Sequence, residues 1–192
     1  RAGYFDETKA GMEHYDMALR IAALTPWMFL AGGPVARGRY SQQGLWYSTI
    51  VNGTNEQQLP RIVEAALERL PATAEADRVR RKARAAVCAS IAHQRWWSGG
   101  GLKPTREHLL MSLSAAPWLL QEPAVLDWLK RVAGTSAAAS ANPVREVKSL
   151  WEDIGRAIAA GPAPSAPPTR RLLGELLEAA ATTLQSGSPR MA

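Results

Sequence analysis

The side chains able to do chemistry gather in one stretch, Gly3 to Arg20, which reads Gly-Tyr-Phe-Asp-Glu-Thr-Lys-Ala-Gly-Met-Glu-His-Tyr-Asp-Met-Ala-Leu-Arg. Asp6, Glu13, His14 and Asp16 offer carboxylates and an imidazole, the groups used for acid–base work near neutral pH. The same residue types also cap helices and form surface ion pairs. From Met12 onward the spacing predicts a helix, because Met17, Ile21 and Leu24 recur at i, i+4, i+7 as an apolar stripe. Glu13, Asp16 and Arg20 fall at i, i+3, i+7 and share another face. Asp16 and Arg20 are an i,i+4 pair with the acid on the N-terminal side, the favourable order. Glu13 and His14 fall in the first turn, where the helix dipole stabilises a carboxylate. Gly3-Tyr4-Phe5-Asp6-Glu7 reads as a tight turn leading into that helix.

The two pieces, in this order, resemble the second half of the catalytic domain of inverting glycosyltransferases of the family-2 type, which have the GT-A fold. That family carries a Gly-Gly-Phe-Asp-Glu-like turn, a short gap, and a Glu-Asp-x-Asp-Leu-x-x-Arg-like helix start. The counterparts are Gly3 to Glu7 and Glu13-His14-Tyr15-Asp16-Met17-Ala18-Leu19-Arg20. A later Arg-x-His or Arg-x-x-x-Ser-like stretch is matched by Pro34-Val35-Ala36-Arg37-Gly38-Arg39-Tyr40-Ser41. The resemblance covers residues 1–45. It implies transfer of a sugar from a nucleotide-sugar donor to a hydroxyl of a glycan acceptor, with a divalent metal, Mg or Mn, and basic groups stabilising the departing diphosphate.

The resemblance also distributes roles. Glu13 and His14 are the candidates for the base that deprotonates the acceptor hydroxyl. The family places an acid at the position of His14, and a neutral imidazole can do the same work near pH 7. Asp6 is placed near the donor or acceptor sugar. Arg37 and Arg39 alternate on one face of an extended stretch, to contact the donor phosphates or to line a solvated edge. Asp16 and Arg20 hold the helix start in register. The family's metal-binding Asp-x-Asp lies upstream of the turn, and none occurs in these 192 residues. The expectation is therefore the C-terminal piece of a longer enzyme, which alone holds no metal and is inactive.

The elements that must position these groups follow from the rest of the chain. An apolar fraction of 46% is ordinary for a globular protein. The net charge of +6 is spread along the chain. Its densest cluster, Arg78, Arg80, Arg81, Lys82 and Arg84, wraps around a helix instead of forming one patch, so no nucleic-acid partner is expected. The lone Cys88 excludes a disulfide framework, and His93 and His108 have no zinc-ligand spacing around them. No signal peptide is recognisable and the apolar runs are too short to span a bilayer. The expected location is the cytoplasm, including the inner face of a membrane.

The expected fold is mainly α: a C-terminal remnant of an α/β GT-A domain over 1–45, then a helical region. In the remnant, Trp27 to Ala31 reads as a buried strand and Pro34 to Tyr40 as a second extended stretch. Gln42 to Asn55 has no clear period and reads as a loop with a helical turn. Over 46–133, helices are expected from Leu59 to Leu70 and from Glu75 to Trp97. Ser98-Gly99-Gly100-Gly101 breaks the second, and another helix follows from Pro104 to Ala116. This helical hairpin is similar to a single tetratricopeptide-like unit, with no second copy at a period of about 34 residues. One more amphipathic segment, Trp118 to Val132, follows. The Ala/Ser-rich 134–143 reads as a linker, 144–160 as a helix, 161–169 as a stiff Pro-rich linker, and 170–192 as a last helix and tail. The alternative to a transferase is a non-catalytic helical module that binds a protein partner through the hairpin.

Overall fold

The computed structural model describes residues 2–9, 11–25, 41, 44–161 and 168–186. These residues are mainly helical and include no strand. They fall into two compact units, Arg1–Asp77 and Arg78–Ala192. That division lies well beyond the boundary at 45 expected from the motifs. Trp27 to Ala31, Pro34 to Tyr40, and with them Arg37 and Arg39, lie outside the described residues.

The first unit holds a 3-10 turn at Glu7–Lys9, then helices α1 (Glu13–Ala22), α2 (Leu45–Val51) and α3 (Thr54–Leu67). On α3, Asn55, Leu59, Ile62, Val63 and Leu67 form the buried face, a stripe at the helical period. On α1 the expected stripe does not become the buried face. Ile21 and Leu24 are exposed, whereas Met12, just before the helix, and Asp16 are buried. The segment expected to be a loop instead contains α2 and the start of α3. Its β-branched and aromatic residues lower intrinsic helix propensity and hide the period. Tertiary packing overrides this: Thr49 and Ile50 bury, while Leu45, Trp46 and Val51 stay exposed. The Ser48 and Thr49 hydroxyls donate to the Leu45 and Trp46 carbonyls one turn back.

Helix α4 (Ala74–Trp97) begins in the first unit and continues into the second. It ends with crossed hydrogen bonds of the Schellman type: Gly100 N–H donates to Arg95 O at 2.8 Å and Gly99 N–H to Trp96 O at 3.3 Å. Helix α5 (Leu102–Ala115) completes the hairpin, and Ser112 Oγ donates to Ala85 O across it at 2.8 Å. Cys88 on α4 is half-buried, and burial pushes its thiol up, away from the reactive thiolate.

A 3-10 turn at Pro117–Gln121 leads to α6 (Pro123–Ala138), then α7 (Pro143–Ala159) and α8 (Arg170–Gln185). These helices and α5 enclose one apolar core. Leu113, Leu129, Val132, Leu150, Ile154 and Leu176 lie at its centre with essentially no exposure. Asn142 caps α7 by accepting from Arg145 N–H at 3.2 Å, and Pro143 opens it with a preset φ. Thr169 caps α8 in the same way, accepting from Leu172 N–H at 3.3 Å.

The expected linker at 134–143 is corrected at its first half: residues 134–138 belong to α6, with Gly134, Ser136 and Ala137 buried. Their small size serves contact with α8, not flexibility. A Cβ on Gly134 would lie 2.3 Å from Thr183 Oγ1 and 3.1 Å from Thr183 Cβ. Helix α8 is docked, burying Leu172, Leu176 and Ala180. Residues 162–167 of the Pro-rich stretch lie outside the described residues.

Candidate active site

The turn at the start of the first unit closes on itself before it meets α1. Asp6 Oδ1 accepts from Thr8 N–H at 3.1 Å and from Thr8 Oγ1 at 2.6 Å. Backbone bonds continue the path: Lys9 N–H donates to Asp6 O, Met12 N–H to Lys9 O, and Asp16 N–H to Met12 O. Gly11 makes the change of direction, with φ at +81°, a conformation that L side chains rarely adopt. A Cβ there would also meet Thr49 Oγ1 of α2 at 2.9 Å, so turn geometry and space both demand glycine.

Asp16 is the hub. It is 6% exposed, and both its oxygens are engaged. Oδ1 accepts from Lys9 Nζ at 2.7 Å, and Oδ2 accepts from Arg20 Nε at 2.9 Å. Arg20 reaches back further, donating through NH2 to Tyr4 O at 2.8 Å and through NH1 to Ala2 O. One guanidinium thus joins the helix carboxylate to two carbonyls of the turn. Such charge-assisted bonds are stronger than neutral ones. Lys9 also pairs with Asp6 Oδ2 at 3.2 Å. The bond to Asp16, opposed in part by burial, holds the Lys9 ammonium pKa above its ordinary value. The Thr8 hydroxyl, then Lys9, holds the Asp6 carboxyl below its ordinary value.

The Glu13–His14 pair sits in the first turn of α1. His14 Nδ1 lies 3.5 Å from Glu13 Oε1, and the His14 side chain is 84% exposed against 26% for Glu13. The His14 ring packs against Phe5 of the turn, with centroids 5.3 Å apart and planes tilted by 52°. Glu13 Oε2 is buried without a hydrogen-bond partner. Unpaired buried oxygens of this kind are costly and uncommon.

Of the residues proposed from sequence, the structure brings together Asp6, Asp16 and Arg20 in one network and places Glu13 beside His14. Both oxygens of Asp6 serve the turn. Arg37 and Arg39 lie outside the described residues. Lys9, which bridges the two aspartates, was not singled out from sequence. Its spacing, three residues after Asp6 and seven before Asp16, was the available signal. Among the described residues no group of three or more His, Cys, Asp or Glu is arranged to hold a metal ion. Asp6 and Asp16 are already committed to Lys9 and Arg20.

Among the described residues no helix is long and apolar enough to cross a membrane. Comparison with protein-family models, with curated proteins and with solved structures returns no match.

Proposed function

We propose that residues 2–22 form the acceptor side of a sugar-transfer site, in which His14 takes the proton of the attacking hydroxyl and Glu13 orients and supports its imidazole. The observation that carries this reading is the locked turn. Lys9 and Arg20 fix the turn to α1 through buried Asp16, and the exposed imidazole rests on Phe5 of that turn with a carboxylate oxygen 3.5 Å from Nδ1. A carboxylate close to Nδ1 favours the imidazole form that is basic at Nε2, and the His14 side chain is 84% exposed. The same logic operates wherever a carboxylate orients a histidine base. A surface helix cap needs neither the double latch nor the ring contact. The motif order, Gly3 to Glu7 followed by Glu13 to Arg20, supplies the reaction class. Arg37 and Arg39 would meet the donor phosphates, and the metal would be held by an Asp-x-Asp, which this sequence lacks.

The test is made in the gene product that carries this sequence, by following release of nucleoside diphosphate from a panel of nucleotide-sugars in the presence of acceptor. His14→Ala is expected to lower turnover by about a hundredfold or more, the usual contribution of a general base. Glu13→Gln should lower it less, because the imidazole remains. A release rate unchanged by both substitutions would overturn the assignment and favour the helical binding module.

A further inference from the structure

The second unit contains a cleft of about 780 Å³ between α5, the end of α6 and α7. Its size falls in the usual range of small-molecule sites, roughly 300–1,000 Å³. The floor is organised by Arg106, whose side chain is only 17% exposed. Its guanidinium donates to Ser149 Oγ at 3.2 Å and to Asp153 Oδ2, and lies 3.7 Å from Glu146 Oε2. Asp153 in turn pairs with Arg156. Leu102 and Leu110 supply apolar wall.

Ser136 gives the cleft an unfilled valence. It borders the cleft, is 4% exposed, and its hydroxyl has no hydrogen-bond partner. A serine in a helix interior ordinarily bonds back to a carbonyl one turn earlier or faces water. Left unpaired, this hydroxyl costs desolvation with no return.

We propose that this cleft binds a neutral saccharide. Charge excludes the simpler ligands. Arg106 and Arg156 balance Glu146 and Asp153, so the network is neutral and offers an anion no uncompensated cation. Lys103 and Glu107 at the rim lie 3.9 Å apart and balance each other. No group of carboxylates here is arranged for a metal ion. What remains is a dense alternation of donors and acceptors: guanidinium, carboxylates and serine hydroxyls. Sugar hydroxyls both donate and accept, so each can meet a carboxylate and a guanidinium or serine at once. The C–H faces of a pyranose suit the leucine wall. The inference uses none of the residues of the turn and α1, so it stands or falls independently of the transferase reading.

The experiment is an NMR titration of the full chain with lactose, cellobiose and N,N′-diacetylchitobiose, with inorganic phosphate as the competing chemistry. At least one saccharide should give saturable shifts centred on the amides of Arg106, Ser136 and Ser149. Ser136→Ala should weaken that binding by roughly tenfold, the worth of one hydrogen bond left unmade. It should also leave the melting temperature unchanged or higher, because it removes an unpaired buried hydroxyl. Ser149→Ala serves as a second variant that leaves Arg106 in place. Three results would overturn the proposal: no saccharide moving these amides, phosphate moving them in place of sugar, or saccharide binding indifferent to both serine substitutions.

Discussion

At the scale of single residues, Asp16 decides whether the candidate site exists as a site. Its two oxygens accept from Lys9 and Arg20 on either side, and Arg20 alone ties α1 to the carbonyls of Ala2 and Tyr4. Asp16→Asn keeps the shape but removes the charge that both cations answer. About 1.5–3 kcal/mol of local stability should be lost, the range for hydrogen bonds to charged groups. Faster hydrogen exchange at the amides of the turn and the first turn of α1 would register it. The latch also has a pH window. The folded Lys9 pKa is raised above 10.5, so its contribution is complete below that value and disappears as pH rises through the higher folded value. The folded Asp6 pKa is lowered from 3.8, so its contribution is complete above that value and disappears as pH falls through the lower folded value. Turn protection should therefore form a plateau between these limits. Asp16→Asn should move the alkaline edge to lower pH without removing it, because Asp6 still pairs with Lys9, and should leave the acidic edge in place. An alkaline edge at an unchanged pH in that variant would separate Lys9 from Asp16. Asp16 and Arg20 were legible as a pair from their i,i+4 spacing. The reach of Arg20 to backbone carbonyls sixteen and eighteen positions earlier was not, because no residue type marks a carbonyl.

At the scale of elements, helix order and most boundaries were legible wherever amphipathic period and breakers agree. The α4–α5 hairpin and α7 show this: glycines end α4, and Val147, Leu150, Ile154 and Ile158 repeat at helical spacing. Small-residue runs misled for a physical reason. Alanine, glycine and serine are the composition of a linker and also of a close helix crossing, and only the partner helix distinguishes them. Gly134 is the decisive position. Gly134→Ala places a Cβ 2.3 Å from Thr183 Oγ1, so α6 and α8 must separate or Thr183 must change rotamer. The cost should be about 1–3 kcal/mol, typical of overpacking. Thr183→Ala removes the hydroxyl and should restore part of that loss, since the remaining Cβ would sit at 3.1 Å. Two additive substitutions in a double-mutant cycle would show that the α6–α8 crossing does not limit stability. The same crossing carries a charged clasp, Glu175 with Lys130 at 3.0 Å and Arg171 at 3.0 Å. Lys130, then Arg171, holds the Glu175 carboxyl below its ordinary 4.5, so the clasp contributes fully above that pH and weakens as acid protonates it.

At the scale of the whole molecule, the two compact units divide the chain by the kind of argument each supports. The first carries the motif residues on short helices whose buried face includes polar groups. Asn55 is wholly buried with neither side-chain atom partnered, and Gln58 donates to Thr8 O at 3.4 Å while its own oxygen is unpartnered. The second buries a run of aliphatic side chains with almost no exposure. Unsatisfied buried polar groups cost stability, whereas close-packed aliphatic cores supply it. The second unit should therefore be the more stable of the two. Weakening its core should leave the first unit undisturbed. Leu150→Ala or Leu176→Ala should cost about 2–5 kcal/mol, the range for leucine truncation in a closed core. Hydrogen exchange should then accelerate across α5 to α8 and remain unchanged in α1 and α3. Equal acceleration in both units would show that α4, which belongs to each, couples them into one cooperative fold. Substitutions in the proposed saccharide cleft would then have to be judged against the stability of the turn–α1 site as well. Unequal acceleration would mean that the proposed transfer site and the proposed saccharide cleft can be altered separately, each on its own stable structure.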